Sequence, residues 1–387
     1  MALNKFNHVK IKAIQAVLPK NIKNIDDEKQ YYKDEFRFER FKKILGLGTR
    51  RVIDDKTTCC DLLEFAAIKL IEKEKLDKDT IDTLIVVSTS HDFRSPASSC
   101  ILQGRLGLTE DCTCFDLSGL GCSAYVHGLY TAHSLIASGV SKRLLLLVGD
   151  TISGHTNEKD RNTSILFGDA ASATLLEYTD EEITNYFYTG TRGQGYDNLI
   201  SPAGGSYLPI EKDIVDLAIE DNSGNVRYLY HDYMNGMEVF KFSAEVGPLG
   251  IKKILDYSNN TVDTLDYFAI HQANKQIVNT VARFASLPKE KYSASAFETY
   301  GNTGTCAIVT DIVHNLHDKE IKKLGLASFG IGLSWGFAVF DTQATVIYDF
   351  DELPDNFNDN RHEQGLGLIR RERIDYWVKK TSVIENK

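Results

Sequence analysis

The chain has 387 residues, 42% of them hydrophobic and 25% charged, with seven prolines and no biased tract. That composition excludes fibrous and disordered classes and leaves room for two domains or one large fused unit. A net charge of −10 disfavours a broad nucleic-acid surface, and the longest apolar run, residues 144–148, is strand-sized, far short of the ~20 residues that span a bilayer. MALNKFNHVK at the start lacks an apolar leader core, so a cytoplasmic setting with reduced thiols is expected for the seven cysteines.

Taken in chain order, the predicted elements fall into two similar sets. An amphipathic helix over 61–74 leads to an apolar strand at 84–88, a helix, a short strand near 115–117, a helix opening at Cys122 and the strand 144–148. The second set has a helix over 240–257, a strand at Tyr267–Ile270, another helix, a short strand near Phe297, a helix opening at Thr305 and a strand near 324–330. The sets share sequence as well as order. TIDTLIVVSTS at 80–90 reappears as TVDTLDYFAIH 181 positions later, and FDLSGLGC at 115–122 has its counterpart in FETYGNTG at 297–304. Strands separated by helical segments imply βαβ crossovers and largely parallel, buried sheets. The expected organisation is an N-terminal half at 1–185, a C-terminal half at 186–341 and an extension at 342–387.

In such folds, sites gather at the carboxyl ends of strands. Three chemistry-bearing residues are placed there by the prediction. Cys122 sits on the glycine turn SGLGCSAY before a helix, where the dipole and unpaired N–H groups lower a thiol pKa. On its own, the turn is equally well explained by a structural thiol. His271 opens HQAN directly after the strand LDYFAI, and is a candidate base or hydrogen-bond donor if it is not a satisfied core residue. Asn302 lies in YGNTG; alone it reads as a turn residue, yet an amide suits a carbonyl oxygen that needs a donor but no proton. No Cys/His spacing matches a zinc site, so no metal is expected.

Seven stretches, LSGLGCSAYVHGL, DRNTSILFGDAASATLL, SPAGGS, MNGMEVFKF, HQAN, YGNTG and GIGLSWGFAVF, run in the order found in β-ketoacyl-acyl-carrier-protein synthase III. Over residues 8–341 the chain resembles that family of thiolase-fold condensing enzymes. The resemblance implies a thiolase-like α/β fold, two pseudo-two-fold-related βαβαβαββ halves in five α-β-α-β-α layers. It implies that Cys122 is acylated by a thioester, and that His271 and Asn302 promote decarboxylation of a malonyl thioester and stabilise the enolate. Backbone N–H groups of Cys122 and Ile331 would form the oxyanion hole. Arg161, Phe167, Met234, Gly236, Phe240 and Asn274 would hold the coenzyme A or phosphopantetheine arm, and Ser95 would border the acyl pocket. Coenzyme A and phosphopantetheine thioesters are then substrates, no cofactor is expected, and an acyl-carrier protein and a second copy in a homodimer are the expected partners. Fatty-acid initiation or a specialised lipid or polyketide pathway would follow. The alternative is an acyltransferase of the same fold that delivers the acyl group to an alcohol or amine.

The chain departs from the family in several places. Arg40 and Ile44 occupy positions where the family has a Trp and an Arg against the adenine, leaving Arg161 as a one-sided clamp. Ser95 replaces a bulky residue before Pro96, in a loop that reaches across the dimer. Of the family's basic docking helix only Lys275 and Arg283 remain, with Lys289 and Lys291 nearby. The connection 180–227 is long, as specificity loops often are. The extension carries an acidic block at 349–359 followed by a basic one, the pattern of a solvated or surface-docked segment, or of a cap or carrier dock.

Overall fold

The computed structural model describes residues 2–32, 34–222 and 224–382. The tip of the extension, 383–387, lies outside them. The first half contributes strands β1 (Leu3–Asn7), β2 (Val9–Leu18), β3 (Thr83–Val87), β4 (Thr113–Leu117), β5 (Arg143–Asp150) and β6 (Ala170–Tyr178), and helices α1 (Cys59–Glu74), α2 (Ser98–Leu106) and α3 (Ala124–Ala137). The second contributes β7 (Thr184–Thr191), β8 (Leu199–Ile200), β9 (Tyr233–Met234), β10 (Tyr267–Ile270), β11 (Lys323–Gly330) and β12 (Ser334–Asp341), with α4 (Gly236–Ser258), α5 (Lys275–Phe284), α6 (Ser295–Tyr300) and α7 (Ala307–Leu316). The extension adds β13 (Val346–Ile347), β14 (Asp351–Glu352) and α8 (Arg370–Ser382).

Two sheets result. One runs β13-β2-β6-β5-β3-β4 with β14 also on β2; the other runs β1-β7-β12-β11-β10. β3 is buried along its whole length, because Ile85 and Val87 face one layer while Leu84 and Val86 face the other. α3 and α7 fill the space between the sheets, where Val126, Leu129, Ile308 and Ile312 meet residues of both. α1 and α2 cover the outside of the first sheet, and α4 and α5 cover the outside of the second. These are the expected five layers.

Two local expectations are corrected. The sheets are mixed rather than largely parallel. β3 is parallel to both β4 and β5, and β10 to β11, but β6 and β12 return antiparallel beside β5 and β11. Each half ends in an antiparallel return, tight in the second half and through the 151–169 connection in the first, which needs no helical crossover. The stretch around Phe297 is the helix α6, not a strand. Its sequence SAFETY lacks the β-branched density of a buried strand. Phe297 drops into a separate cluster with Ile25, Phe38, Leu47 and Phe167.

The extension is docked on the surface. β13 and β14 pair parallel with β2, Leu353 is buried, and Phe357 packs edge-on against Phe65. Its acids meet bases of the body, Lys73–Asp351 at 2.7 Å, Arg51–Glu352 at 2.7 Å and Lys20–Asp355 at 2.8 Å, while Arg361 reaches Glu64 at 2.9 Å. The charge blocks therefore orient the segment, although each surface pair contributes under about 1 kcal/mol.

The two halves are joined through Asp150 at the end of β5. Its buried carboxylate accepts from Ser88 Oγ (3.1 Å), Thr89 N (2.7 Å), Thr89 Oγ1 (3.0 Å) and, across the pseudo-two-fold, Thr305 N (2.8 Å). Asp150→Ala leaves these donors in a closed interior. It is expected to lower unfolding free energy by about 3 kcal/mol, measured by urea denaturation, since each orphaned buried group costs ~1–3 kcal/mol.

Candidate active site

Cys122 lies on a single turn of 3₁₀ helix, Gly121–Ser123, immediately before α3. Glycine is required at 121, where φ is +52° and a Cβ would stand 2.7 Å from Ile331 Cγ1. The neighbouring half supplies the other side of the turn. A Cβ at Gly330 would collide with Leu120 O, so β11 ends pressed against the Cys122 loop. Ser334 Oγ holds this contact by donating to Ile331 O (2.6 Å) and meeting Ser123 Oγ (2.6 Å). The backbones of Cys122 and Ile331 are thus set side by side by a glycine-tight contact.

Asn302 approaches from the second half. Its main chain is bonded on both sides to the 166–168 segment, donating to Leu166 O (2.8 Å) and accepting from Gly168 N (3.0 Å). The side-chain Oδ1 accepts from Gly304 N (3.1 Å), which fixes the amide and leaves Nδ2 beside Cys122 Sγ at 3.9 Å. His271 follows β10 directly, its N–H bonded to Ala327 O (2.8 Å). The imidazole is shut away from solvent, and Nδ1 has no partner among the described residues.

All three side chains line one small cavity of about 80 Å³. Asn302 lies past α6 rather than at a strand end, so the expectation that all three close strands fails for it. Burial decides the electrostatics. It pushes the Cys122 thiol up to about 12; the Asp150 carboxylate adds to the shift, and the Asn302 amide opposes it. This corrects the expectation of a lowered thiol pKa, because desolvation outweighs the helix terminus. Burial also lowers His271 to about 3, so the ring is neutral at any working pH. The site holds a protonated thiol, a neutral imidazole and an amide, a set suited to donating hydrogen bonds to a developing oxyanion.

Residues 115–193 match the family model for 3-oxoacyl-[acyl-carrier-protein (ACP)] synthase III, and residues 255–342 match the model of its C-terminal part. A putative 3-oxoacyl-[acyl-carrier-protein] synthase 3 from Campylobacter jejuni is 35% identical over 351 residues, 89% of this chain and 98% of that protein. The chain belongs to the 3-oxoacyl-[acyl-carrier-protein] synthase III family. A β-ketoacyl-[acyl-carrier-protein] synthase III from Acholeplasma laidlawii is 32% identical over 76% of this chain and 86% of its own length. Among solved structures, a 3-oxoacyl-(acyl-carrier protein) synthase from Burkholderia xenovorans superposes with a TM-score of 0.82 at 31% identity, covering 90% of this chain and 98% of that one.

Of the residues expected at the thioester arm, Phe167, Met234, Gly236 and Asn274 line the Cys122 cavity. Phe240 does not; it is half-buried in the packing outside the second sheet. Arg161 also lies off the cavity, with its guanidinium over the Tyr32 ring at 5.3 Å and Nε donating to Asn225 Oδ1 at 2.7 Å. Arg40 and Ile44 are exposed, as is Ser95, which lines no part of this chain's Cys122 cavity. Two of the four docking bases are held within the chain. Lys275 pairs with Glu298, and Lys291 donates to three backbone carbonyls at 262, 263 and 265.

Sequence reasoning missed Val239, Phe242 and Ser243, which line the cavity. Gly236, Val239 and Ser243 stand at i, i+3 and i+7 of α4, so helical phasing was the available signal. Leu199 and Leu333 were also missed; Leu199 comes from the long connection suspected of carrying specificity.

With the thiol pushed to about 12, alkylation of Cys122 by iodoacetamide is expected to rise about tenfold per pH unit from pH 7 to 10. Mass analysis of the Cys122 peptide checks this, and a plateau below pH 9 would contradict it.

Proposed function

We propose that the chain is a decarboxylating condensing enzyme that carries its acyl intermediate on Cys122. The observation that carries this reading is the meeting of Cys122 with His271 and Asn302 from the other half around one cavity. In the first step, Sγ forms a bond to the acyl carbon of a thioester. The donor's C–S bond breaks, and the thiol proton of Cys122 leaves with the departing sulfur. The Cys122 and Ile331 N–H groups receive the oxyanion. Because the thiol starts protonated, its proton passes to the departing thioester sulfur as the Sγ–C bond forms.

In the second step a malonyl thioester enters, and its thioester carbonyl accepts hydrogen bonds from His271 Nε2 and Asn302 Nδ2. The bond to the carboxyl carbon breaks to release CO₂, and the electron pair becomes an enolate. The enolate carbon attacks the acyl carbon, the Sγ–C bond breaks, and Cys122 recovers a proton from water. Two neutral donors match this chemistry: an acid at His271 would quench the enolate by protonating it. Simple acyl transfer to an alcohol or amine has no use for both donors, which favours carbon–carbon bond formation.

Phe167, Met234, Gly236 and Asn274 hold the phosphopantetheine arm of either coenzyme A or a carrier protein. With Arg40 and Ile44 where the family has a Trp and an Arg, an adenine would find only Arg161, which favours delivery by a carrier. β4 ends the first sheet as a half-buried edge, and a second copy pairing there would complete a homodimer in the cytoplasm and bring in the Ser95 loop.

Cys122→Ala is expected to abolish acyl loading, read by intact-protein mass. Asn302→Ala and His271→Ala are expected to load normally but to release CO₂ from a malonyl thioester about 100- to 1,000-fold more slowly, the effect of one lost oxyanion donor. Full condensation by Asn302→Ala would remove the assignment.

A further inference from the structure

A second cavity, of about 550 Å³, lies across the Ile331–Gly332 turn from the first, and the Leu199 side chain lines both. Ser118 and Gly119, which lead into the Cys122 turn, also border it. Cys122, His271 and Asn302 line only the first cavity, and the second borders the Cys122 turn at its Ser118–Gly119 side. One wall is apolar, made by Ile152, Leu199, Ile200 and Ile331. Beside Ile200, where β8 pairs with β9, the lining also holds a carboxylate. Asp232 follows the Tyr228–His231 aromatic cluster, and its Oδ1 accepts from Ser201 Oγ. Among the described residues no lysine or arginine forms an ion pair with Asp232. Its negative charge is felt at the thiol, where it adds to the upward shift of Cys122.

A plain alkyl chain gains nothing from a carboxylate beside it and hinders that group's solvation. A chain ending in a hydrogen-bond donor gains a charge-assisted bond, the stronger kind. We propose that this cavity receives the acyl chain of the primer and that Asp232 selects short chains ending in a donor, a hydroxyl or an ammonium, over alkyl chains of equal length. The inference rests on Cys122 being the acylated residue. Leu199, Ile200 and Ile331 contact the methylenes, and Asp232 Oδ2 accepts from the chain end.

The test uses pantetheine thioesters of three acyl groups with equal numbers of non-hydrogen atoms: butanoyl, 3-hydroxypropanoyl and β-alanyl. Loading of Cys122 is followed by intact-protein mass. The wild-type chain is expected to load both donor-bearing groups at least tenfold faster than butanoyl, the value of one hydrogen bond to an ionised carboxylate. In Asp232→Ala the ratio is expected to collapse to within about twofold. In Asp232→Asn it is expected to persist for the hydroxyl and vanish for the ammonium, which separates the two donors. Equal loading of all three by the wild-type chain overturns the proposal, as does a ratio that Asp232→Ala leaves unchanged. If none of the three labels Cys122, the acyl-enzyme reading itself falls, a result distinguishable from loss of selectivity.

Discussion

The site exists because a buried carboxylate ties two similar halves into one. Asp150 ends β5 of the first half, and Thr305 opens the helix region of the second. A carboxylate taken out of water is tolerated only when its lone pairs are satisfied, and here four donors satisfy it. Gly304 has φ +60° and no room for a Cβ beside Asp150, so the joint admits only glycine there. The same Gly304 offers its N–H to Asn302 Oδ1. This joint thus ties the halves together and sets the direction in which the Asn302 amide points.

That carboxylate also shapes the chemistry. It raises the thiols of Cys59, Cys122 and Cys306 and the carboxyl of Asp169, with burial the larger cause in each. The interior at the end of β5 therefore resists additional negative charge. Cys122 stays protonated at rest, which shields a buried sulfur from adventitious oxidation. Negative charge becomes favourable only where backbone and side-chain N–H groups are aimed at it.

Much of the architecture was legible because the sequence states it twice. The 181-position offset placed β3 against β10 and β5 against β11, and the glycine turns placed Cys122 and Asn302. What failed was whatever the second copy had changed. FDLSG and FETYG occupy matching positions, yet the first is strand β4 and the second is helix α6. The choice depends on where the phenylalanine goes, between the sheets for Phe115 and into the Ile25–Phe38 cluster for Phe297. No local pattern records that tertiary difference. The thiol pKa failed for a related reason. The helix terminus is visible in sequence, but the depth of burial that outweighs it is not. Asp150 escaped notice too, since VGD at a strand end announces nothing of its four donors.

The lost strand has a structural consequence that explains how Asn302 is held. In the first half a parallel strand leads to the Cys122 turn, so the sheet positions the thiol. In the second half the corresponding residues are helical, and the sheet stops at β10. Asn302 is instead held by a short parallel bridge to Phe167, a segment of the first half. Phe167 in turn lines the cavity and packs with Phe297. The first half therefore places Cys122 from its own sheet, and then also supplies the strand-like support that the second half gave up. Each half is incomplete at the site without the other, so the Cys122 sulfur and the Asn302 amide keep their 3.9 Å relation only while the halves stay joined.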